Sequence, residues 1–144
     1  MPALILPTVD VHASFLTAMD EYVAEGRGTP GDPSNVGYFI REYGAGWADP
    51  AEFARFVADV RAQALPDTPR PEMFVPTTTF WWVAGDEYLG RLAIRHRLAP
   101  RLAGQRNGHI GYDVRPRARR QGHATAMLAA RPCRQPRPSA CPTS

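Results

Sequence analysis

The sequence predicts an α+β domain in which a largely antiparallel sheet is flanked by helices. Three observations carry this: two segments near the N-terminus have helical apolar spacing, the period then changes to two across a hairpin, and a strand–loop–helix unit follows. The chain has 144 residues, 44% of them hydrophobic and 22% charged. That suffices for one domain with its own core and excludes a highly charged disordered chain.

Residues 3–6 read as a short buried strand. Asp10 is placed to cap a helix to Ala24, with Val11, Phe15, Ala18, Met19 and Tyr22 on one face and Gly26 ending it. Residues 26–49 are an irregular connection with a short helix from Val36 to Tyr43. Its aromatics Tyr38, Phe39, Tyr43 and Trp47 are either core or the wall of a pocket. The next helix has Asp49 at the N-cap, Pro50 at the first helical position and Glu52 in the first turn. Phe53, Phe56, Val57, Val60 and Ala64 then recur at helical spacing, and Pro66 closes the segment. Four prolines make 66–76 an extended linker.

Thr77–Val83 is rich in Thr and Trp and reads as a strand. Ala-Gly-Asp-Glu at 84–87 is a hairpin turn with Glu87 solvated, and Tyr88–Leu98 returns. On the return strand Tyr88, Leu92, Ile94 and Leu98 alternate with Arg91, Arg95 and Arg97, which predicts one buried face and one bearing three guanidiniums. Residues 99–108 form a loop, His109–Val114 a third strand, and a helix opens at Gly122 with Ala124, Met127 and Leu128 on one side. Residues 1–130 form the domain. Residues 131–144 hold four prolines and no hydrophobic period, so they are expected to be a disordered tail.

Charge divides along the chain. Residues 1–90 carry 13 acids and 5 Arg, while residues 91–144 carry 12 Arg and the single acid Asp113. The second half therefore either meets an anion or forms one pole of a bipolar surface. No apolar run is long enough to span a bilayer, and the start has no basic flank of a signal peptide. Cys133 and Cys141 lack a partner at metal-ligand spacing, so no metal site and a reducing, cytoplasmic location are expected.

The segment 108–128, Gly-His-Ile-Gly-Tyr-Asp-Val-Arg-Pro-Arg-Ala-Arg-Arg-Gln-Gly-His-Ala-Thr-Ala-Met-Leu, carries the chemistry. Amides opening a helix, its dipole and adjacent arginines make an anion cradle, and Gly122 lets the backbone approach the anion. A Walker loop and a Gly-x-Gly-x-x-Gly fingerprint are both absent.

These residues resemble the acetyl-CoA motif of the GNAT acetyltransferase superfamily, Arg/Gln-x-x-Gly-x-Gly/Ala after a strand ending Val-x-Pro. Arg119, Gly122 and Ala124 fill its positions, Val114 and Pro116 end the strand, and the hairpin at 88–95 matches the family's central strands. The resemblance covers roughly residues 1–130. It implies acetyl-CoA as co-substrate and a primary amine on a small molecule or peptide as acceptor, and it is compatible with a homodimer. Cofactor contacts fall on Val114, whose main chain faces the pantetheine arm, and on Arg119, Arg120, Gln121, Gly122, His123, Ala124 and Thr125 around the pyrophosphate. His123 is expected over the cradle and Tyr112 to pack. No base is identified. Asp113 and, less directly, His109 and His123 are candidates, and an ion pair of Asp113 with Arg115 or Arg117 is the competing reading. Tyr43 and Trp47 are expected on the acceptor side. A complete family domain continues with a strand, a helix and a hairpin beyond the motif helix. The composition of the tail suggests a shifted reading frame after about residue 130, and with it impaired activity. A basic nucleic-acid-binding module and a non-functional fragment are the alternative classes; no nucleic-acid-binding motif is present.

Overall fold

The computed structural model describes residues 1–69, 75–96 and 110–132. Within them the chain is α+β, with four strands and four α-helices. The strands are β1 (Ala3–Ile5), β2 (Thr77–Ala84), β3 (Glu87–Arg95) and β4 (Ile110–Val114), and the helices are α1 (His12–Ala24), α2 (Asn35–Tyr43), α3 (Pro50–Ala62) and α4 (His123–Ala130). The sheet order is β1-β2-β3-β4, antiparallel throughout.

Local chemistry explains most of the boundaries. Asp49 Oδ2 accepts from the Glu52 amide at 3.2 Å and Pro50 occupies the first turn, as the sequence predicts for α3. Ser34 Oγ accepts from the Gly37 amide at 3.0 Å and caps α2. The start of α1 differs from expectation. Thr8 caps a 3-10 turn at Val9–Val11 by accepting from the Asp10 amide, and α1 begins only at His12. Gly26 ends α1 at φ +99°, a conformation that costs glycine little.

The sheet separates two cores. On one face Val11, Phe15, Ala18, Met19 and Tyr22 of the first helical stretch meet Phe53, Phe56, Val57 and Val60 of α3 over Trp81, Val83 and Tyr88. Phe15 is the hub. Its ring lies 4.9 Å from Trp47, 5.1 Å from Trp81 and 5.2 Å from both Phe53 and Tyr88. On the other face Trp82, Leu89, Leu92, Ile94 and Val114 pack against Met127 of α4.

Both faces of the hairpin are thus covered, and this corrects the expected guanidinium face on β3. Leu89 through Ile94 are all buried, Arg91 included at 5% exposure. A bulge contributes: Trp82 pairs with Gly90 but Val83 with Tyr88, so Leu89 is the extra residue that changes the alternation. Arg95 is half-buried, and Arg97 lies outside the described residues. So do the loop at 99–108, His109, part of the 66–76 linker, and residues 133–144 with both cysteines. No helix among the described residues is long and apolar enough to cross a membrane.

Candidate functional site

β4 ends the strand order, so its outer edge is unpaired among the described strands. The Arg115 amide donates to the Leu89 carbonyl at 2.8 Å. Antiparallel alternation therefore turns the main-chain groups of Tyr112 and Val114 off that edge. After Val114 the chain makes a 3-10 turn at Pro116–Ala118, passes Arg120 at φ +63° and Gly122 at φ +83°, and enters α4. The Ala126 amide bonds the Gly122 carbonyl at 3.0 Å. The amides of His123, Ala124 and Thr125 precede that first helical bond and have no intrahelical acceptor. A Cβ built on Gly122 meets no atom within 4 Å beyond its chain neighbours, so the backbone is open to approach at that residue.

Three arginines of the segment, Arg115, Arg117 and Arg119, pair with the carboxylates of Glu21 and Glu25. Arg119 donates to both oxygens of Glu25 at 2.7 Å and, through Nε, to the Val114 carbonyl at 3.1 Å. Its own amide closes the 3-10 turn on the Pro116 carbonyl. Its guanidinium is thus anchored on Glu25 and Val114, and its amide is not one of those that open α4. The Val114 carbonyl is likewise taken, leaving its amide for a ligand along the edge.

Arg115 is buried, pairs with Glu21 and donates to the Tyr88 carbonyl at 3.1 Å. Glu21 also accepts from the Arg117 amide. Its carboxyl and that of Glu25 lie one turn apart on α1 and hold the loop after β4. Both stay below the usual carboxylate range. For Glu21, burial acts to raise the value, and the Arg115 hydrogen bond and charge outweigh it. For Glu25, the Arg119 hydrogen bond is the leading cause. The acidic first half and basic second half of the chain thus meet each other at these pairs.

Arg120, Gln121 and Thr125 are exposed at the mouth of the cradle, and Gln121 donates to the Arg117 carbonyl at 3.3 Å. His123 is not free over the cradle. Its Nδ1 accepts from Trp82 Nε1 at 2.9 Å, which leaves Nε2 as the protonated nitrogen of the neutral ring. Ala124 packs on the second core. Tyr112, expected to pack, is 46% exposed.

Asp113 faces the opposite side of the sheet from Tyr112. Its oxygens lie 3.3 Å from Arg91 Nε and 3.3 Å from Arg27 Nη2, not against Arg115 or Arg117. A carboxylate engaged by two guanidiniums is poorly placed to take a proton from an amine. Sequence reasoning missed Arg91. The available signal was its position inside the unbroken buried run from Leu89 to Ile94, which period-two reading assigned to solvent.

Trp47 is 4% exposed and belongs to the first core. Tyr43 is half-buried and donates to Asp59 Oδ2 at 3.2 Å; burial, then the Asp59 charge, pushes its hydroxyl up to about 12. Phe15, Phe39, Trp47, Thr79, Trp81, Tyr88 and Arg91 are among the residues that line a cavity under α2. Among the described residues no group of His, Cys, Asp or Glu is placed to hold a metal ion. Comparison with family models, curated proteins and solved structures finds no match.

Proposed function

We propose that this chain is an acyl-CoA-binding domain of the GNAT type that transfers an acetyl group from acetyl-CoA to a primary amine. One observation carries the reading: the β4–turn–α4 unit sets three amides without intrahelical acceptors beside a strand edge that no described strand pairs with. The motif resemblance gives that geometry a ligand. The fit is chemical: helix N-terminal amides suit a pyrophosphate, and outward main-chain groups at Tyr112 and Val114 suit the amides of a pantetheine arm.

In this reading His123, Ala124 and Thr125 bind the pyrophosphate through their amides, with Arg120 at the rim. Trp82 fixes the His123 ring so that it does not fold over the cradle. Arg115 and Arg119 fasten the loop to α1. Acetyl-CoA supplies an activated thioester. An edge amide of β4 polarises its carbonyl as the neutral amine nitrogen forms the C–N bond. The C–S bond breaks, the thiolate leaves, and the amine's surplus proton passes through water to the thiolate sulfur, since Asp113 is occupied by arginines.

A thiol-release assay with acetyl-CoA and a panel of primary amines tests the proposal. Release that depends on an amine supports it. Hydrolysis without amine dependence, or no release together with unimpaired folding, counts against it.

A further inference from the structure

The cavity beneath α2 is lined almost entirely by apolar side chains, yet Arg91 reaches it from β3. Arg91 is 95% buried by its 5% exposure, and its Nε and Nη1 make no hydrogen bond. The Asp113 contact at 3.3 Å is a charge contact without hydrogen-bond alignment. Trp47 Nε1, on another wall of the same cavity, is also buried with no acceptor. Both orphaned groups are donors. Buried unsatisfied donors are uncommon, and two on one cavity call for an acceptor.

Charge points the same way. Among the described residues the linked ion pairs join Arg27, Arg91 and Arg119 to Asp113 and Glu25, so this cluster carries one surplus positive charge. Arg91 is the most buried of the three arginines. Arg95 adds to the local field: burial and the charge of Arg91 together push its value down. The cavity offers about 20 Å³, between one and two times the roughly 10–15 Å³ that holds one water, so only the end of a small group enters it. A guanidinium fork matches a carboxylate in shape and charge.

We propose that Arg91 and Trp47 form a carboxylate-binding subsite, which receives an acidic group carried by the acceptor. Assigning the carboxylate to an amine acceptor rests on the acyl-transfer reading, whereas the subsite itself does not. The acceptor class is then a small amine bearing a carboxylate, such as an amino acid.

The experiment is a titration of the full chain with sodium acetate, acetamide and sodium phosphate at constant ionic strength, without acetyl-CoA. The readout is the fluorescence of Trp47 and Trp81, which both line the cavity. The expected result is a saturable change with acetate, none with acetamide, and a weaker one with phosphate. Arg91→Met should weaken the acetate response at least tenfold and Trp47→Phe about threefold, with circular dichroism unchanged. Should Arg91→Met fail to fold, Trp47→Phe carries the test, read through Trp81. Equal responses to acetate and acetamide overturn the proposal. So does a phosphate response as strong as that of acetate, or a folded variant with an unaltered acetate response. Loss of acetyl-CoA binding in a separate titration would sink the acyl-transfer reading and leave this subsite standing, and the converse also holds.

Discussion

Glu25 accepts two hydrogen bonds from Arg119, both 2.7 Å long, across 94 residues of sequence. With Nε on the Val114 carbonyl, this single side chain ties the end of α1 to the end of β4. The arginine that most resembles a cofactor ligand in the sequence is therefore a staple for the loop that shapes the cradle.

Arg119→Ala should act on stability first. The pair is partly exposed, so the expected coupling in a Glu25/Arg119 double-mutant cycle is about 0.5–1 kcal/mol, near the upper range for accessible ion pairs because the contact is bidentate. That corresponds to a fall in Tm of about 2–5 °C. An unchanged Tm with acetyl-CoA affinity lowered more than about tenfold would instead put the side chain on the ligand.

The two carboxyls of α1 predict an acid limb. Both Glu21 and Glu25 lie below the ordinary value of 4.5 in the folded chain. A depressed carboxyl contributes stability that is fully present above the unfolded value and is lost as pH falls through the folded one. Thermal melts should therefore lose Tm as pH drops below about 4.5, and Glu25→Gln should flatten that slope. Parallel slopes for the two proteins would remove Glu25 from the account.

Gly90 lies where β3 and β4 come closest. A Cβ there would sit 2.4 Å from the Asp113 carbonyl oxygen, a backbone atom that cannot rotate away. Gly90→Ala should cost about 3 kcal/mol, the upper part of the usual overpacking range, and loosen β4 from the sheet. Hydrogen exchange at Tyr112 and Val114 gives little information, since their amides face outward, so the protection to follow is that of Gly111 and Asp113. Undiminished protection there would contradict the close approach.

Gly122 separates strain from binding. Its φ of +83° penalises any side chain, and a Cβ meets nothing. Gly122→Ala should therefore cost about 1 kcal/mol in stability and weaken ligand only modestly. Gly122→Asp adds a negative charge before the α4 amides and should abolish anion binding while melting within a few degrees of the alanine variant. Equal anion affinity in the two variants would empty the cradle of its role.

How far the sequence could be read follows from what is local. The start and buried face of α3 were legible because Asp49, Pro50, Glu52 and its apolar stripe all act within the helix itself, although the helix ends at Ala62, before Ala64 and Pro66. The α1 face was equally plain, although the 3-10 turn capped by Thr8 displaced its start from Asp10. β3 misled because period-two reading assumes one wet face, while α4 covers the second face and the bulge at Leu89 shifts the phase. The partners of Asp113 were misassigned for a similar reason. Arg115 and Arg117 are its sequence neighbours, but the chain leaves the strand after Val114, and Asp113 is left facing Arg91 on β3 and Arg27 beyond α1. The strand–turn–helix frame of the cradle was visible; which arginines it would lose to Glu21 and Glu25 depends on contacts between the two ends of the chain, which no local pattern encodes.

The most direct test of the account is calorimetric titration of acetyl-CoA into the full chain, with Gly122→Asp alongside. The account predicts saturable one-to-one binding, weakened by at least about 100-fold in the variant. Absence of binding to the folded chain, or equal affinity in both proteins, would contradict it.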